Sequence, residues 1–62
     1  MTIKELIEVI NPNQEVMVIT DCAAGFIRYA SCRDIPPLLL GATVLEVAPR
    51  SNGKELIIDA ER

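Results

Sequence analysis

The dipeptide Asn52-Gly53, set between Thr43–Ala48 and Glu55–Ala60, narrows the possible folds of this chain more than any other feature. Asn-Gly supplies the positive-φ positions of a tight hairpin turn, and the flanking segments carry the apolar and β-branched residues of strands. With Asn52-Gly53 as a two-residue turn, Ser51 faces Lys54, Pro49 faces Leu56, Val47 faces Ile58 and Leu45 faces Ala60. One face is then Leu45, Val47, Pro49, Leu56, Ile58 and Ala60, wholly apolar. The other carries Val44, Glu46, Ala48, Arg50, Glu55, Ile57, Asp59 and Glu61. A slip of one residue would mix the two sets, so the pattern itself supports this register. Arg50 opposite Glu55 is a favourable cross-strand pair. Glu46 opposite Asp59 sets like charges against each other, to be relieved by salt, by Arg28 or Lys54 leaning in, or by a basic partner.

The first half of the chain reads as a helix and a second hairpin. Thr2-Ile3-Lys4-Glu5 fits a capping box, in which Thr2 caps the N3 amide and Glu5 reaches back to the Thr2 amide. Ile3, Leu6, Ile7 and Ile10 follow at the spacing of one helical face, and Asn11-Pro12 ends it. A helix of about two turns does not persist alone, so its apolar face has to dock. Glu15 to Thr20 is apolar on both faces, as a strand covered on both sides would be. Asp21 to Gly25 has hairpin-loop length, and Phe26 to Cys32 reads as the returning strand. Asp34 to Gly41 reads as one helical turn, with Asp34 or Ile35 at its cap, prolines in its first turn and Gly41 closing it.

These elements predict a single α+β domain over residues 1–62. The N-terminal short helix packs on a four-stranded antiparallel sheet of two hairpins, with a short helical turn between them. About 60 residues form only a small core. Half of the residues are hydrophobic, mostly Ile, Leu and Val, with one Phe, one Tyr and no Trp. That supply exceeds what one short helix can cover, so self-association, a dimer first, or another protein partner is expected.

The side-chain inventory excludes most chemistry. No His is present, and Cys22 stands beside Asp21, which raises a thiol pKa rather than activating it. Cys22 and Cys32 are too few for a secreted-type disulfide framework or a four-ligand zinc site. Gly25, Gly41 and Gly53 each mark a turn, and none sits in a phosphate-cradling spacing. No cofactor, metal site or enzymatic activity is expected. The net charge of −3 and six scattered basic residues argue against direct nucleic-acid binding, which needs a basic stripe. No signal peptide or membrane-length apolar stretch appears, which predicts a cytoplasmic location.

The opening Thr-Ile-Lys-Glu-Leu-Ile-Glu-Val-Ile-Asn-Pro with the following Glu-Val-Met-Val resembles the start of many small phage and prophage proteins. Arg33-Asp34-Ile35-Pro36 before Leu38-Leu39-Leu40, and the final Asn52-Gly53 hairpin, extend that resemblance over most of the chain. It implies a mobile-element accessory protein that acts stoichiometrically. Such proteins block host enzymes or defence systems such as CRISPR nucleases, or sequester nucleotide signals in pockets between subunits. The leading expectation is therefore a non-catalytic protein-binding module, possible contacts being Asp21 with its loop and the hairpin carboxylates Glu46, Asp59 and Glu61. A second is an oligomeric nucleotide binder using Arg28, Tyr29 and Arg33. A third is a structural subunit of a larger assembly.

Overall fold

The computed structural model describes residues 1–20, 26–51 and 53–62. Helix α1 (Ile3–Ile7) leads to strand β1 (Glu15–Thr20), which pairs antiparallel with the short β2 (Ile27–Tyr29). A 3₁₀ turn (Cys32–Asp34) and the one-turn helix α2 (Pro37–Leu40) then lead to β3 (Thr43–Pro49) and β4 (Glu55–Glu61). No helix among the described residues is long and apolar enough to cross a membrane.

The predicted capping box is formed. Thr2 N–H donates to Glu5 Oε1 at 2.9 Å, and Glu5 N–H donates to Thr2 Oγ1 at 3.2 Å. Those bonds satisfy helix-end amides that have no partner inside the helix. Ile3 and Leu6 are buried, and Ile7 and Ile10 pack against the same core, as the spacing predicts. The helix is shorter than two full turns. Val9 N–H tightens onto Leu6 O at 3.1 Å, and Asn11 then starts a polar turn by accepting Asn13 N–H on Oδ1 at 2.8 Å.

The four strands lie in the order β2-β1-β4-β3. The α+β class and the helix-on-sheet arrangement match the expectation, but the sheet is mixed, not antiparallel throughout. β1 and β4 run parallel, with Val16 beside Leu56 and Val18 beside Ile58. The reason lies in residues 30–42, which are long enough to be a crossover. They leave β2 beside the start of β1, where Cys32 N–H bonds Gln14 O at 2.9 Å. They re-enter the sheet beside the N-terminus, where Thr2 bridges Thr43. A connection that crosses the whole sheet lets the second hairpin enter with β4 parallel to β1. Gln14 fastens the shared starting end of β1 and β4 by donating Nε2 to Lys54 O at 2.6 Å.

Three local readings are corrected. The returning strand ends at Tyr29 instead of Cys32, because Ser31 caps the 3₁₀ turn by accepting Arg33 N–H at 3.2 Å. The cap of α2 is Pro36, neither Asp34 nor Ile35, with Pro37 opening the helix. In the last hairpin, Val47 faces Ile58 and Pro49 faces Leu56 as expected, yet a bulge at Leu45 sets Val44, not Leu45, opposite Ala60. The extra residue turns Leu45 outward, 58% exposed, and Val44 packs on the core. Gly53 has φ 74°, the left-handed conformation that glycine adopts without strain. The Asn52 half of the turn lies outside the described residues.

Both helices and the 3₁₀ turn cover one face of the sheet. Ile3, Leu6, Val16, Val18, Cys32, Ile35, Leu39, Ala42, Ile58 and Ala60 form the core between them. The opposite face has no covering element among the described residues, which form two layers.

Candidate functional site

Alternation along the strands sorts the side chains of the uncovered sheet face. It carries Glu15, Met17 and Ile19 from β1, Arg28 from β2, Glu46 and Ala48 from β3 with Arg50 beyond it, and Glu55, Ile57, Asp59 and Glu61 from β4. Five carboxylates and two guanidiniums sit on this face, a balance of −3. The remaining four acidic residues (Glu5, Glu8, Asp21, Asp34) and four basic ones (Lys4, Arg33, Lys54, Arg62) cancel. Among the described residues that alternation places on this side of the sheet, carboxylates therefore outnumber guanidiniums by three.

Within this face Glu55 is buried and shared between two arginines. Arg50 Nη1 lies 3.1 Å from its Oε1, and Arg28 Nε lies 3.7 Å from its Oε2. Arg28 starts on β2 and reaches β4, so its stem crosses β1. Its cross-strand neighbour there is Met17, which is buried although no helix covers it. The guanidinium also stands 5.5 Å from the centre of the Phe26 ring.

Glu46 and Asp59 are direct cross-strand neighbours, and Glu61 follows two residues along β4, opposite Thr43. Arg28 does not lean toward this pair; it is drawn to Glu55. Among the described residues no ion pair neutralises Glu46, Asp59 or Glu61. Half-exposed Ile19 and Ile57 and the buried Met17 lie beside them, so the face has an apolar middle with a carboxylate border.

Tyr29 belongs to the other side of the sheet. With Val18, Thr20, Phe26, Ile27, Pro36, Leu38, Leu39 and Arg62 it lines an open groove of about 470 Å³ between β2 and α2. Arg28, Tyr29 and Arg33 do not converge: Arg28 and Tyr29 occupy opposite faces, and Arg33 Nη2 donates to Asn13 Oδ1 at 3.4 Å. Asp21 and Cys22 lie outside the described residues. Cys32 is buried, its thiol directed at the carbonyl oxygens of Asn11 (3.4 Å) and Pro12 (3.6 Å).

Sequence reasoning placed Glu46, Glu55, Asp59 and Glu61 on one face and paired Arg50 with Glu55; it did not place Glu15 with them. It missed the reach of Arg28 to Glu55 and the groove. The first depends on β1 lying between β2 and β4, an adjacency that no local pattern in the sequence records. Comparison of the chain with protein-family models, with curated proteins and with solved structures finds no match.

Proposed function

We propose that the chain is a non-catalytic protein-binding module that docks the uncovered sheet face against a basic protein surface. The observation that supports this reading is the excess of five carboxylates over two guanidiniums on that face, around Met17, Ile19 and Ile57. An apolar centre with a charged border is the usual plan of a protein interface. A single-sign border steers a partner of opposite sign and fixes its orientation. An unneutralised Glu46–Asp59 pair costs the free chain stability and becomes favourable once a lysine or arginine stands between the two. Inhibition of a host defence protein is the specific form of this function that the resemblance to phage accessory proteins implies.

The test uses an 18-residue amphipathic peptide of leucine and lysine as the probe, titrated into the purified chain at low salt. Micromolar binding that weakens steadily with added salt is expected. The double charge reversal Glu46→Lys with Asp59→Lys should lower the affinity at least tenfold. Equal affinity for the reversed variant, or no binding at low salt, would overturn the proposal.

A further inference from the structure

The geometry points to a second copy of this chain as the occupant of the β2 edge and its groove. β2 is an outermost strand, and no described strand pairs with its outer side. Such an edge is a template for another strand. Next to it stand the most exposed large apolar side chains of the groove: Phe26 (54%), Ile27 (56%) and Leu38 (77%). The opposite sheet edge is treated differently. There Met1 and Thr2 cover the start of β3, with Val44 N–H bonded to Met1 O at 2.7 Å, and the bulge at Leu45 breaks the ladder. Among the described residues one edge is blunted and the other is open.

Charge decides which surfaces of two identical chains can meet. Face-to-face contact through the uncovered sheet side would press −3 against −3. Arg28 is the only charged residue of β2, and it is held by Glu55 on the open face. The groove side is apolar except for Thr20, Tyr29 and Arg62. Two copies therefore meet with least repulsion at the β2 edge. Antiparallel pairing of β2 with its counterpart about a two-fold axis is self-complementary. It would extend the sheet to eight strands, bring the two α2 turns together on the helix side and cover Ile27 and Leu38. Because the axis stands perpendicular to the sheet, both acidic faces would point the same way. The surface assigned above to a basic partner would be doubled, and two linked sites bind a repeated or extended partner more tightly than one. This last step rests on the proposed function; the pairing itself does not.

The area available sets the expected strength. The three exposed side chains offer on the order of 300 Å² per copy, an aromatic alone carrying about 150–250 Å². A standard interface needs roughly 800 Å² from each partner. The strand edge and the groove walls supply the remainder in part, so the dimer should be weak.

Sedimentation equilibrium of the intact chain from about 5 to 500 µM is the experiment. A monomer–dimer equilibrium with a midpoint in the tens of micromolar is expected, and Leu38→Glu or Ile27→Lys should shift it at least tenfold toward monomer. Leu38 is so exposed that its replacement leaves the fold intact, which circular dichroism checks. A monomer throughout the range, or a dimer unchanged by both substitutions, would overturn the inference. Titrating monomeric Leu38→Glu with the leucine–lysine peptide keeps the two proposals apart, because the open face is unaltered in that variant.

Discussion

Glu55 is the residue that does most to hold the uncovered face together. A carboxylate buried on a strand is costly unless its charge is matched, and here one guanidinium arrives from β2 and one from beyond β3. The two arginines are partly exposed, so water screens each pair, and the value of the cluster lies in its joining the two hairpins. Glu55→Gln keeps the size and loses the charge that both arginines need. It should destabilise the chain by about 1–2 kcal/mol, read as a lower urea midpoint, and the deficit should shrink in 1 M salt. An unchanged midpoint would mean that Arg28 and Arg50 are as well placed in solvent as on Glu55.

At the scale of elements, α1 depends on its first residues. It is too short to hold by propensity, so the capping box and the docking of Ile3 and Leu6 decide whether it forms. Thr2→Ala should cost about 1 kcal/mol. The Thr2 amide, and then its hydroxyl, hold the Glu5 carboxyl below its ordinary value. Its folded pKa being depressed, this contribution is complete above the ordinary glutamate range and is lost as pH falls through the lower folded value. Glu5→Gln keeps an acceptor for the Thr2 amide and cannot titrate. The acid-dependent loss of helical signal in the parent chain should therefore be weaker in Glu5→Gln, and equal acid profiles would contradict this assignment.

How far the elements were legible follows from where their determinants lie. The capping box, the helix face and the Val47–Ile58 register are set by residues within a few positions of each other, and each is as the sequence predicts. The Leu45 bulge is not local. It occurs where β3 must pair with β4 on one side and with the N-terminal Thr2 on the other, and no pattern inside β3 records that second partner. The parallel β1–β4 pairing depends on how residues 30–42 travel across the helix side, which their Pro-Pro-Leu-Leu-Leu composition does not encode. The carboxylates of the candidate site were legible because alternation places them. The groove was not, because it needs β2 and α2 side by side.

For the molecule as a whole, the distribution of charge sets stability against binding. A chain of 62 residues has a small core and a narrow stability margin. Gathering five carboxylates against two guanidiniums on one face narrows it further through repulsion between neighbours, Glu46 and Asp59 above all. An arrangement selected for stability alone would interleave the signs. Asp59→Asn keeps the shape and removes one of the facing charges. The free variant should be more stable by about 0.5 kcal/mol, while its affinity for the leucine–lysine peptide should fall severalfold. Salt should act in the same two directions on the parent chain, raising its urea midpoint and weakening the complex, since screening relieves repulsion within the face and attraction across it alike. Thermal or urea unfolding of both chains at low and high salt, beside the peptide titrations, checks the pair of effects. A variant that gained stability and kept full affinity would show that the Asp59 charge burdens the fold without serving the interface.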